Sequence, residues 1–318
     1  MKLGIIMDPI EDIKIYKDSS FAMLLAAQSL GWEIYYMEES DLYLADSKAC
    51  ATMRHLIVED DARRWYRFHH EVVSELGELD VILMRLDPPV DMEYIYVTHI
   101  LELAKTSGVY IVNDPAALRD VNEKLYINWF PQFTPPTIVT KSAEQLFEFI
   151  NEQEDIMLKP PAGMGGLSIF RIRKGDTNTR VIIENLTDYG RKFTMAQRYI
   201  PEISEGDKRI LLIDGEPVPY ALARIPQPGD NRGNLAAGGT GRGAELTDRD
   251  MEICKTVGPV LRDMGLVFVG LDIIGNYLTE INVTSPTCIR EIDSIFKQNI
   301  ASDLMQVIKK NCLAARKA

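Results

Sequence analysis

The segment Phe268–Val283, FVGLDIIGNYLTEINV, holds two apolar runs separated by Gly275 and Asn276. Runs of this length and composition predict strands over Val267–Ile274 and Tyr277–Val283. Each carries an acid among apolar residues: Asp272 in the first, Glu280 in the second, with the amide Asn282 two positions on. Side chains two apart on a strand share a face, so Glu280 and Asn282 point the same way. If the connection holds an odd number of residues, Asp272 lies directly opposite Glu280. An all-oxygen set on rigid strands suits Mg²⁺, which takes few protein ligands and completes its shell with water and phosphate oxygens. The same acids would also serve as outward-facing residues of a half-buried sheet. A carboxylate on each of two neighbouring strands favours the metal.

Working back from this pair, a helix is expected from Asp248 to about Met264, preceded by a long glycine-rich stretch, Gln227–Gly243. Ordered loops of that length are uncommon and usually functional, and its small residues and arginines suit a mobile cover that excludes water. Before it, Lys208–Ile213 and Pro217–Ile225 flank Asp214-Gly215, a strong hairpin signal. Further back, strands at Ile156–Lys159 and Ser168–Arg173 enclose Pro160-Pro-Ala-Gly-Met-Gly-Gly166. Glycines let backbone N–H groups approach phosphate oxygens, and Lys159 supplies countercharge. No Gly-Lys-Ser/Thr follows and no helix begins there, so this is not a P-loop. It reads either as a plain turn or as a flexible phosphate flap between strands. Lys124, Lys159, Lys208, Arg209, Arg224, Arg232 and Arg290 stand in or beside loops and strand ends, where cations grip phosphates and carboxylates.

The first third alternates strands with helices. Lys2–Met7, Glu33–Met37, Asp80–Met84 and Val109–Val112 read as strands. Helices are expected after a cap at Ser19 or Ser20, near residues 60–76, and over 91–107. This is the pattern of a doubly wound parallel α/β sheet, where ligands gather at the carboxyl ends of strands, as Asp8, Arg85 and Asn113 do. A final amphipathic helix is expected over 294–312.

Bulk composition removes several functions. The 318 residues contain 47 Asp and Glu against 35 Lys and Arg, a net −12, which argues against coating nucleic acid or binding membranes through basic residues. No apolar run approaches bilayer length, and Met1–Ile10 lacks a signal-peptide core. Cys50, Cys254, Cys288 and Cys312 form no CxxC pair and read as free thiols of a reducing, cytoplasmic compartment. Cys288 precedes Arg290 closely enough for a lowered pKa, but a buried structural thiol is the expected role. All four histidines precede residue 100, so the later strands have no histidine base or histidine metal cage. Catalysis there would rest on positioning and electrostatics. Residues 191–242 carry eight Lys and Arg against six Asp and Glu, a local surplus of cations inside an acidic whole.

Over essentially its whole length the chain resembles the bacterial glutathione synthetases of the ATP-grasp superfamily. The resemblance rests on Lys17-Asp-Ser-Ser-Phe-Ala-Met-Leu24, ILMRLDPP (82–89), LKPPAGMGG (158–166), GDKR (206–209), DGEPVPYALARIP (214–226), RGNLAAGG (232–239) and FVGLDIIG with LTEINVTSPTCIRE (268–291). It implies an N-terminal substrate domain over 1–120 and a two-lobed ATP-grasp module over 121–318. The module would have a small flap lobe at about 121–200 and a larger lobe carrying the lid 227–243. It also implies ligation of γ-glutamylcysteine and glycine through an acyl phosphate, with ATP as co-substrate and Mg²⁺ or Mn²⁺ as metal. Lys124, Lys159 and the flap Gly163, Met164, Gly165 and Gly166 would hold the ATP phosphates. Gln197, Tyr199 and Ile200 would hold adenine, and Asp207 the ribose. Asp272, Glu280 and Asn282 would hold the metal, and Arg209 and Arg224 would stabilise the transferring phosphoryl group. Ser19, Arg85, Asn234, Ser285, Thr287 and Arg290 would bind the dipeptide and glycine. A cytoplasmic homo-oligomer, dimer or tetramer, is implied too. The flap departs from the family's frequent Lys-Pro-Leu-Asp-Gly by reading Lys-Pro-Pro-Ala-Gly (159–163).

Overall fold

A computed structural model describes residues 1–317. The first part runs β1 (Lys2–Met7), α1 (Ser19–Ser29), β2 (Glu33–Met37), β3 (Leu42–Ala45), β4 (Lys48–Val58), β5 (Tyr66–Glu75), β6 (Val81–Arg85), α2 (Met92–Lys105), β7 (Tyr110–Val112) and α3 (Pro115–Asp120). Strands β2, β1, β6 and β7 are parallel neighbours, as the alternation predicts. Helix α1 covers one face and α2 the other, burying Phe21 and Leu24 on one side and Val97 and Leu101 on the other. The helix starts at Ser19 but is capped by Asp18, whose carboxylate accepts the Phe21 N–H.

The expected helix near 60–76 is instead β5, an edge strand antiparallel to β4. Trp65, Phe68, Val72 and Leu76 have helical spacing, but β4 offers a long open row of backbone donors and acceptors, and pairing them decides the conformation.

The small lobe follows: β8 (Thr137–Thr140), α4 (Ala143–Gln153), β9 (Asp155–Lys159), β10 (Phe170–Arg173), α5 (Thr179–Leu186) and β11 (Thr194–Arg198). Its strands form an antiparallel sheet in the order β10-β9-β11-β8 over a core of Leu146, Ile150, Ile156, Leu158 and Ile183. The large lobe holds β12 (Asp207–Ile213), β13 (Glu216–Ile225), β14 (Thr240–Glu245), α6 (Asp248–Asp263), β15 (Phe268–Ile274) and β16 (Tyr277–Asn282), with strand order β14-β13-β12-β15-β16. Because β14 pairs with β13, the long loop ends at Gly239, not Gly243.

The chain closes with α7 (Ile289–Phe296) and α8 (Ile300–Ala315), two helices where one is expected over 294–312. The break falls at Lys297, in a left-handed conformation, followed by Asn299, which caps α8. Helix α8 returns to the first sheet and packs on α1. Ile308 and Cys312 share a core with Phe21 and Leu24, and Arg316 pairs with Asp80.

Candidate active site

The β15–β16 register places Asp272 opposite Glu280, with Asn282 on the same face. A bulge after Asp272 absorbs the mismatch between the two strands. Asp272 is buried and clamped from two sides: Arg209 donates Nε and Nη2 to its two oxygens, and Arg224 Nη2 lies 2.8 Å from Oδ2. Strand pairing explains the clamp, since Arg209 sits across from Asp272 on β12 and Arg224 across from Asp207 on β13. Burial pushes the Asp272 carboxyl up, and the two guanidinium groups more than reverse this, holding it well below the ordinary range.

Asp207 shows the opposite balance. Burial pushes it up to about 7; Arg224 opposes this, while Asp272 and Glu280 reinforce it. One of its carboxylate oxygens meets Arg224 at 2.5 Å, and the other is buried without a hydrogen-bond partner. An orphaned acceptor lining a pocket is a ready partner for a ligand hydroxyl.

Two buried lysines face the acids. Lys124 Nζ and Lys159 Nζ lie 3.7 and 3.9 Å from Glu280 Oε1, too far for hydrogen bonds. Lys124 donates instead to the Gly163 carbonyl at 2.7 Å, so it already holds the flap. Lys159 approaches Gln197 Oε1 at 3.3 Å, and burial lowers its pKa despite Glu280. Gln197, Tyr199, Ile200, Asp207 and Glu280 line one pocket between the lobes.

An adjoining cleft of about 370 Å³ is lined by Gly163, Met164, Gly165, Arg209, Arg224, Asn234, Glu280, Asn282, Ser285 and Thr287. The structure thus brings together most residues named from sequence, but three stand elsewhere. Ser19 accepts the Ile289 N–H at the foot of α7. Arg85 is spent behind the cleft wall on Ser20 and the Pro286 carbonyl. Arg290 turns outward to Asp60. Asn113 likewise stitches β15 to β16, bonding Phe268 and the Val283 carbonyl.

Sequence reasoning missed the acids of the cleft. Asp18, Asp87, Glu123 and Glu291 all line it. Glu123 is fixed by the N–H groups of Val283 and Thr284, and Glu291 has a buried oxygen without a partner. Asp18, Asp87 and Glu291 stand inside the quoted motifs and Glu123 stands beside Lys124, so the need to seat a substrate ammonium group is the signal that would have pointed to them. Cys288 is buried in the cleft wall; burial pushes its thiol up although Arg209 and Arg224 pull it down, which fits the structural role.

Part of this oxygen set suits a divalent cation. Asn282 donates its amide N–H to the Gly270 carbonyl, which leaves its side-chain oxygen free, and Glu280 has unspent lone pairs facing the cleft. These two fit a hard cation that shares its shell with phosphates. Asp272 fits less freely, because both its oxygens already accept from arginine. Among the described residues, no group of three or more His, Cys, Asp or Glu is arranged to hold a metal.

Comparison with known proteins shows the family. Residues 1–119 match the family model described as "Prokaryotic glutathione synthetase, N-terminal domain", and residues 123–297 match "Prokaryotic glutathione synthetase, ATP-grasp domain". Curated relatives named glutathione synthetase include one from Pseudomonas syringae pv. tomato, 57% identical over 317 residues and covering 100% of this chain and 99% of the relative. One from Vibrio parahaemolyticus is 56% identical over 310 residues, 98% of each chain. Among solved structures, the D-cycloserine synthetase DcsG superposes with a TM-score of 0.67 at 10% identity, covering 98% of this chain and 100% of that one. The ATP-grasp ligase PsnB, complexed with its minimal precursor, Mg and ADP, gives 0.63 at 14% identity, covering 99% and 98%. At such identities these two show the fold alone.

Proposed function

This chain belongs to the prokaryotic glutathione synthetase family and is an ATP-dependent ligase joining γ-glutamylcysteine to glycine; on that premise we propose how its residues divide the work. Lys124, Lys159 and the flap Gly163–Gly166 hold the ATP phosphates. Gln197, Tyr199 and Ile200 hold adenine, and the orphaned oxygen of Asp207 accepts from a ribose hydroxyl. The cysteinyl carboxylate attacks the γ-phosphorus, ADP departs, and the glycine nitrogen attacks the resulting acyl phosphate. Loss of an amine proton and expulsion of phosphate then leave the peptide bond.

Arg209 and Arg224 line the cleft where both anionic transition states form. Asp272 fixes their planes in advance, which is electrostatic preorganisation. Ser285, Thr287 and Asn234 complete the substrate pocket, and Glu291 and Asp87 give its dipeptide ammonium an acidic wall. Glu280 and Asn282, with Asp272 behind them, would hold Mg²⁺, which would neutralise phosphate charge when bound. The ATP-grasp ligase PsnB, whose fold this chain shares, is complexed with Mg and ADP. Ser19, Arg85 and Arg290 shape the cleft from behind without touching it. A cytoplasmic homo-oligomer accords with free thiols and with the family; among the described residues no helix is long and apolar enough to cross a membrane.

One observation carries the assignment: Lys124, Arg209, Arg224 and Glu280 line one cleft between flap and lid, and Lys159 reaches Glu280 from the adjoining pocket. The test is ADP release by purified protein, which should require γ-glutamylcysteine, glycine and Mg²⁺ together. Equal turnover with D-alanine alone would overturn it.

A further inference from the structure

Arg171 is absent from every role above, yet each of its three guanidinium nitrogens donates a hydrogen bond. Nε and Nη2 donate to the two oxygens of Asp155 at 2.9 and 2.6 Å, a bidentate pair between β10 and β9. The plane stacks on Tyr199, with Cζ 3.4 Å from the ring centroid. The remaining nitrogen, Nη1, donates to Asn231 Oδ1 at 3.3 Å. Tyr199 belongs to the nucleotide pocket, and Asn231 belongs to the loop between β13 and β14. One rigid, planar side chain therefore touches the base wall and the loop together.

That loop spans both pockets. Asn231, Arg232, Gly233 and Asn234 line the nucleotide side, and Asn234, Leu235 and Ala236 line the acceptor side. It also meets the flap: Arg232, fixed by Asp230, directs Nη1 toward the Gly166 carbonyl at 3.4 Å. A Cβ on Gly166 would lie 2.8 Å from Asn234 Oδ1.

We propose that Arg171 is a positioning residue that ties the lid to the nucleotide wall, so that a seated nucleotide draws the lid over the acceptor pocket. The proposal rests on reading residues 226–239 as a lid. A nucleotide packed on Tyr199 fixes the ring, the ring and Asp155 fix the guanidinium, and its Nη1 fixes Asn231. Nucleotide and dipeptide then favour the same lid position, and by linkage each raises the affinity of the other by the same factor. Couplings of this kind run from about 5-fold to 150-fold.

The test uses the full-length protein with ADP, Mg²⁺ and γ-glutamylcysteine as probes. Trypsin cleavage after Arg232 reports lid position, and titration calorimetry reports the fold by which ADP tightens the dipeptide. Wild type should show ADP-dependent protection and a coupling of about tenfold. Asn231→Ala and Arg171→Met should lose the protection and bring the coupling close to one. Asn231→Asp, which keeps the acceptor, should restore both. Should Arg171→Met unfold the small lobe, the two Asn231 variants alone decide the matter. If ADP protects the Arg232 bond equally in Asn231→Ala, the tie is refuted and the lid stands. If nothing protects that bond in wild type, even ADP with dipeptide, the lid reading fails as well.

Discussion

Replacing Asp272 by Asn separates a structural clamp from a purely catalytic acid. The carboxylate is 1% exposed and accepts from Arg209 Nε, Arg209 Nη2 and Arg224 Nη2. The amide keeps one acceptor and turns an NH₂ group toward a guanidinium. Arg224 retains Asp207 at 2.5 Å, but Arg209 is left with no anionic partner at hydrogen-bond distance. Breaking a buried pair from one side costs about 3–5 kcal/mol. The lower end is expected here, because Asp207 loses the repulsion that helps push it up to about 7. At about 2–4 °C per kcal/mol for a unit the size of the two-lobed module, that module should melt about 6–12 °C lower in calorimetry. Adding Arg209→Met should recover part of the loss, because the second change removes the uncompensated charge. A fall under about 2 °C, or a double variant weaker than the sum of the two single changes, would refute the buried-charge argument.

Glu280→Gln should leave melting within about 2 °C while lowering turnover at least about 100-fold, since Glu280 holds no structural hydrogen bond; equal activity would end its role as a metal ligand. Gly233→Ala places a Cβ 2.5 Å from the Arg224 carbonyl oxygen and 2.9 Å from Asp207 Cβ. The lid cannot then seat, so ATP hydrolysed per peptide bond, counted by paired ADP and product assays, should rise with little change in melting. Hydrogen bonds from Arg171 and Arg173 outweigh the burial that pushes Asp155 up, and hold its carboxyl below the ordinary value. A depressed carboxylate stabilises the fold above the unfolded pKa of about 3.9 and loses that contribution as pH falls through the folded value. Carbon NMR of Asp155 should show a midpoint below about 3.9 in wild type that returns toward it in Arg171→Met. Iodoacetamide at pH 8 should modify half-exposed Cys50 first, because burial pushes the thiols of Cys254, Cys288 and Cys312 up.

The opposition of Asp272 and Glu280 could be read from sequence because two apolar runs with a short connection leave few registers, and the acids mark the shared face. The parallel strands β1, β2, β6 and β7 were equally plain, each an apolar run bounded by turn residues. Strand β5 was not, since an edge strand exposed on much of both faces need not alternate. Helices α4 and α5 went unmarked because the small lobe's core is only a few apolar residues deep. For the site, residue type and position after a strand gave the neighbourhood but not the partner. Arg85 and Asn113 stand at strand ends like true ligands, yet backbone carbonyls consume their donors. Ser19 and Arg290 flank the cleft, and their orientation depends on where α7 meets α1, which no local pattern encodes.

The return of α8 to α1 has a consequence for how the chain is made. During synthesis the β1–α1 face of the first sheet emerges early, but the residues that cover it, Ile300 to Cys312, leave the ribosome only after both later lobes. The first domain thus carries an uncovered apolar face until α8 has been made, while both later lobes can already be forming. A nascent chain halted before Ile300 should expose that face to chaperones, and loss of α8 should unsettle the first sheet rather than the large lobe that precedes it in the chain.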